Sequence, residues 1–194
     1  MVFACLLALV SLMSVEAAYI QINGTQMSND ALSSLVATKF MELVNKYRLA
    51  HNLTPLKSSN GLKKLSARHA LNLTRFSADE LAANNDLRNS VAHENYEERR
   101  QAMKEAVVRE SGKSLSKTIG GEITQVAWAF ITYKDSQGNI LVEEIAQSIL
   151  DNFLASAGHR AIIETDYPAG SYFGAGVVVS GWHLHLVCNF IGVQ

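Results

Sequence analysis

Asn152-Phe-Leu-Ala-Ser-Ala-Gly-His-Arg-Ala161 closes a run of apolar residues, Val142, Ile145, Ile149 and Phe153, spaced by three and four. That period puts them on one face of a helix. Gly158 can adopt the left-handed conformation that commonly ends a helix, so the helix is expected to stop there. His159 and Arg160 then stand at the helix mouth, where an imidazole can face a cleft. Alone, an imidazole in that place is more often a surface or capping residue, so the segments around it decide what it is for.

Downstream, Tyr167-Pro168 and Gly170 interrupt the pattern and two strands follow. Tyr172–Ser180 is β-branched with glycines inside it, Gly181 turns the chain, and Trp182–Ile191 alternates. Trp182, Leu184, Leu186, Cys188 and Phe190 share one face of the second strand, and His183, His185, Val187 and Asn189 share the other. A His-x-His pair on one side of a strand can bind metal, but such a pair is more often exposed strand surface, which is the expectation here. Cys188, on the apolar face, reads as a buried small residue rather than a nucleophile.

Upstream, Asp135–Asn139 is a turn, Val126–Tyr133 is apolar and β-rich, and Ser114–Gly121 is a loop leading into Glu122. Glu94–Arg109 has helical period and is closed by Gly112. The polar segment 77–93 turns at Asn84-Asn85-Asp86 and ends in His93. Two more helices precede it. One runs from about Asp30 to His51 on a stripe through Leu32, Val36, Phe40, Leu43 and Tyr47. The other runs from Ser58 or Ser59 to about Phe76, with His69 on its apolar face as a hydrogen-bonded core histidine. The pattern predicts one domain over 31–194, with three or four helices around a small sheet that ends in an antiparallel hairpin, preceded by an extended or loose arm at 18–30.

The 194 residues suffice for one sizeable core, and 48% apolar with 18% charged residues is a globular composition. A net charge of −1 gives no bulk attraction to nucleic acid or to an anionic membrane. Met1–Ala17 is apolar, too short to span a membrane, and carries Val15 and Ala17 at the small-residue positions of a cleavage site. It reads as a secretory signal peptide, although no Lys or Arg precedes its apolar run. Its removal would leave a neutral chain with Cys188 as the lone cysteine, hence no internal disulfide and no stable membrane span.

Three polar groups fall at element ends: His93, Glu122 and His159. Two imidazoles and a carboxylate make a partial shell for zinc or another divalent cation, with positions left to water. The same groups could position a water for acid–base work. The sequence has no glycine-rich phosphate loop, no Cys-x-x-Cys and no Gly-x-Ser-x-Gly elbow.

Several motifs together resemble one family. Asn45-Lys-Tyr-Arg48 with Pro55-Leu56 is similar to the opening of the CAP superfamily, the SCP-like extracellular domain of cysteine-rich secretory proteins, antigen 5 and pathogenesis-related proteins. Leu62, Ser66, His69 and Ala70 resemble its second-helix pattern, and Ala92-His93 with Arg99 its His…Arg segment. Gly121-Glu122-Ile123 resembles its Gly-Glu-Asn-Ile motif. Phe153-x-x-Ser156-x-Gly158-His159-Arg160 resembles the bacterial-type Trp-x-x-Ser-Pro-Gly-His-Arg, and Gly174-Ala-Gly176-Val177 its Gly-Val-Gly-Val strand. The match runs over about residues 35–192.

This resemblance implies an α+β fold, a three-layer α-β-α sandwich with a central antiparallel sheet, and a cleft lined by two His and two Glu. His93 and His159 would be the metal ligands, with Glu122 beside them. The chain departs from the pattern at Ile123, Phe153 and Ala157. The family's second Glu falls at about Ser156, which joins the cleft set in its place, and Glu143 or Glu144 are candidates to substitute for it. The resemblance implies a secreted binding module that takes a divalent metal and a lipid or other small ligand. The alternatives are an extracellular partner-interaction protein with a vestigial cleft, or a metal-assisted hydrolase or protease with Glu122 as base.

Overall fold

The computed structural model describes residues 20–22, 24–113, 115, 119–130 and 132–193. The expected signal peptide lies outside them. Within the segment expected as an extended or loose arm, β1 (Ile20–Ile22) pairs antiparallel with β2 (Thr25–Met27). Ser28 then caps α1 (Asn29–Ala50) by accepting from the Ala31 N–H. Short β3 (Lys57–Ser58) leads to α2 (Asn60–Leu73), capped by Ser59.

The polar segment 77–93 holds two short helices, α3 (Ala78–Ala83) and α4 (Asn85–Ala92), which meet at Asn84, where the turn is expected. Ser77 and Glu80 form a capping box at the start of α3, and the Asn84 side chain starts α4 by accepting from the Leu87 N–H. Both helices are too short to show a period in sequence. α5 (Tyr96–Ser111) ends as expected at left-handed Gly112, with φ 66°. β4 (Gly120–Ala129) begins six residues before the apolar run suggested, so Glu122 lies inside a strand. A bulge between Gln125 and Trp128 bends it, with Ala127 left-handed at φ 48°.

The segment around His159 differs from expectation. α6 (Val142–Ala155) stops at Ser156, whose extended backbone (φ −88°, ψ 117°) separates it from α7 (Ala157–Glu164). Gly158 is an ordinary residue in the first turn of α7, and a Cβ there would meet nothing within 4 Å. His159 and Arg160 thus sit in the opening turn of a new helix rather than beyond the end of an old one.

β5 (Tyr172–Ser180) and β6 (His183–Ile191) form the hairpin, and the four-stranded sheet runs β3-β5-β6-β4. Its long pairs are antiparallel; only the two-residue β3 joins in parallel. α1 and α6 cover one face over Phe173, Ala175, Val177, Leu184, Leu186 and Cys188. α2, α3, α4 and α5 cover the other over Val126, Val187 and Ile191. The α-β-α sandwich follows from two apolar sheet faces, each needing a helical layer. Among the described residues no helix is long and apolar enough to cross a membrane.

Because both faces are covered, the expectation of an exposed His pair on β6 fails. His185 is 3% exposed, and its Nδ1 accepts the Ala127 N–H of the bulge at 3.3 Å. Trp182 lies in the turn before β6 and is exposed, with the Lys134 ammonium over its ring. Cys188 is buried as expected, and burial pushes its thiol well above the ordinary value.

Burial, with a smaller push from His183, lowers the His185 pKa from 6.5 to about 4. Between those values the unfolded chain binds a proton that the folded chain refuses, so stability falls as pH falls through that window. The loss from His185 is on the order of 3 kcal/mol by pH 4. His69 and His159, also lowered chiefly by burial, act in the same direction. Urea midpoints measured from pH 7.5 to pH 4 should drop, and His185→Gln should flatten the drop. A midpoint independent of pH would contradict this account.

Candidate functional site

Glu122 is the anchor. It follows Gly121, where a Cβ would lie 2.7 Å from Ile162 Cγ2, so the missing side chain lets α7 settle onto β4. Glu122 points to the opposite face from Ile123, beneath the ends of α2, α4 and α5. β4 is the last strand of the sheet, so helices of both layers can meet around its outer edge.

The Glu122 side chain is 1% exposed. Arg99, one turn into α5, donates from Nη2 to Oε1 at 2.5 Å and from Nε to Oε2 at 3.3 Å. That is a two-pronged, charge-assisted clamp on a buried carboxylate. His93 caps the C-terminus of α4 and sets Nδ1 3.1 Å from the same Oε1. Left-handed Asn95 (φ 54°) then turns the chain into α5, so His93 and Arg99 reach one carboxylate from successive helices. The His93 side chain is 45% exposed, which leaves the rest of the ring toward solvent.

His69 is the core histidine the sequence suggests, and it also belongs to this cluster. Its Nε2 lies 2.9 Å from the Ala92 carbonyl and 4.0 Å from Glu122 Oε1. The Thr124 hydroxyl donates to the same Ala92 carbonyl at 3.2 Å. The residue before His93 is therefore held from α2 and from β4 together. In the sequence His69 shows as an imidazole on an apolar helical stripe and as part of the second-helix pattern, and neither feature places it beside Glu122.

His159 is half-buried on α7, with the Phe153 ring edge-to-face at 5.1 Å between centroids. Burial and then the charge of His93 lower its pKa. No hydrogen bond or ion pair joins His159 to Glu122 among the described residues. Ser156 forms the α6–α7 junction without a side-chain capping bond. Glu143 and Glu144 occupy the first turn of α6, about 20 Å along the helix from Ser156, so neither replaces the second glutamate. Among the described residues no group of three or more His, Cys, Asp or Glu is placed to hold a metal.

A model of the cysteine-rich secretory protein family, CAP, matches residues 41–190. The chain belongs to the CAP family. This CAP domain is similar in structure to an outer surface protein of Borrelia burgdorferi, 10% identical with TM-score 0.50, over 82% of this chain and 93% of that one. It is also similar to a cysteine-rich secretory protein of Staphylococcus aureus, 12% identical with TM-score 0.45, over 87% and 41%. An extracellular protein containing an SCP domain from Bacillus anthracis is 16% identical with TM-score 0.42, over 82% and 41%. The chain thus spans less than half the length of the last two, and at these identities the likeness concerns the fold. No curated protein matches the CAP domain described here.

Proposed function

We propose that this CAP domain is an extracellular binding module in which His93 and His159 take a divalent cation around the edge of β4. The carrying observation is Glu122 against His93 Nδ1 at 3.1 Å. A carboxylate on one ring nitrogen fixes the tautomer and directs the other nitrogen outward as a ligand. Imidazole pairs suit zinc, and two protein ligands leave its remaining positions to water or a ligand. Such a cation would supply a Lewis-acidic docking point at the cleft mouth. Arg99 neutralises Glu122, His69 and Thr124 hold the backbone before His93, and Phe153 packs against His159.

This arrangement favours binding over hydrolysis. The carboxylate that would serve as base is buried and already engaged by a guanidinium. The groups gathered around Glu122 are a guanidinium and imidazoles, which suit an ion rather than an acyl chain. The extracellular placement is supported by the family and by the outer-surface relative.

Zinc titration calorimetry tests the reading. The wild type should bind saturably, and His93→Ala or His159→Ala should abolish the heat. Glu122→Gln should weaken binding by about 10–100-fold, the usual cost of losing a carboxylate behind a ligating histidine. No heat from folded wild type would end the metal proposal.

A further inference from the structure

β3 covers only Tyr172 and Phe173 of β5 before Ser59 starts α2 and the chain leaves the sheet. From Gly174 to Ser180 the outer side of β5 faces no strand among the described residues. Main-chain groups of alternate residues point to that side. The Phe173 carbonyl accepts the Ser59 N–H at 2.9 Å, which identifies the odd-numbered residues as the outward set. Further along, the substitutes are side chains of α1: Met41 Sδ takes the Ala175 N–H at 3.3 Å, and Ser33 Oγ takes the Val179 N–H at 3.1 Å. A thioether is a weak acceptor on a flexible side chain, readily displaced by a carbonyl.

α1 and α2 flank this edge from opposite faces of the sheet and enclose a groove of about 830 Å³ with Ala175–Val178 in its floor. The groove is the place a further strand would occupy in the sandwich, in line with β3. Its α2 wall carries Lys63, Lys64 and Arg68, none in an ion pair among the described residues. Its α1 wall carries Asp30 and Glu42, the latter already paired with Lys39 at 3.0 Å. With Glu42 paired, three cations on the α2 wall stand against the single carboxylate of Asp30 on the α1 wall, so the groove keeps a net positive charge concentrated on α2.

We propose that an extended acidic peptide adds to the free edge of β5 in the groove between α1 and α2, pairing its main chain with Ala175–Val179 and its acidic side chains with Lys63, Lys64 and Arg68. Strand addition uses the sheet's own hydrogen-bonding groups for affinity and alternate side chains for selectivity. An acyl chain would fill the groove but could make no main-chain hydrogen bonds along this edge. The site is separate from the His93 cleft, so the inference stands or falls independently of the metal.

The probe is a labelled Glu-Val octapeptide, compared by fluorescence anisotropy with a Lys-Val octapeptide and with the Glu-Val peptide N-methylated at alternate residues. The wild-type chain should bind the first at least tenfold more tightly than either control. Lys63→Glu/Lys64→Glu/Arg68→Glu should weaken it at least tenfold, with the circular dichroism spectrum unchanged. Amide hydrogen exchange at Val177 should slow on binding. Binding that survives N-methylation, equal binding of the Lys-Val peptide, or saturable binding of dodecanoate with none of the peptide would each overturn the proposal.

Discussion

Arg99→Ala is expected to destabilise the folded domain by about 3–5 kcal/mol, the usual cost of stranding a buried charge. Glu122 is 1% exposed, and Arg99 supplies both of its strong donors. Without the guanidinium only His93 remains in hydrogen-bond reach of the carboxylate. The double variant Arg99→Ala/Glu122→Gln should recover much of the loss, because an amide tolerates burial better than an unpaired carboxylate. Urea unfolding of both at pH 7.5 provides the check. Equal stability of the single variant and wild type would mean that the pair does not hold β4 and α5 together.

Gly176→Ala is expected to cost about 3 kcal/mol or more, at the upper end of what overpacking does. A Cβ at that position would lie 2.0 Å from the Ala67 backbone nitrogen and 2.4 Å from its Cα. These atoms belong to the backbone of α2, which cannot rotate aside as a side chain can. Gly174 repeats the arrangement at 2.5 Å from the Lys63 nitrogen, and there the Ser66 hydroxyl donates to the Gly174 carbonyl at 2.7 Å. The helix rests directly on the strand, and lifting it would also part His69 from the Ala92 carbonyl. Gly158→Ala is the matched control, since its new methyl meets nothing. Thermal unfolding should separate the two by many degrees; similar melting temperatures would refute the close contact.

Much of the architecture was legible in local pattern. The stripes of α1 and α2 survive in the core as Leu32, Val36, Phe40, Leu62 and Leu73. The β5–β6 hairpin follows the alternation and the Gly181 turn, which is left-handed at φ 58°. α3 and α4 were not legible, because helices of six and eight residues span too few turns to reveal a period. The break at Ser156 was misassigned to Gly158 for a related reason: glycine permits a stop but does not impose one.

The candidate site divides in the same way. Residue types alone singled out His93, Glu122 and His159, since chemistry needs imidazole and carboxylate wherever they lie in the chain. Local pattern gave three or four helices around a small sheet ending in a hairpin, and the three-layer class came from the resemblance of the motifs to the CAP family. Tertiary structure decided that Arg99 clamps Glu122, that His69 holds the residue before His93, and that His185 is buried. These are contacts between segments 23 to 58 residues apart. Periodicity reports which way a side chain leaves its own element, whereas a contact depends on which element the fold lays opposite it.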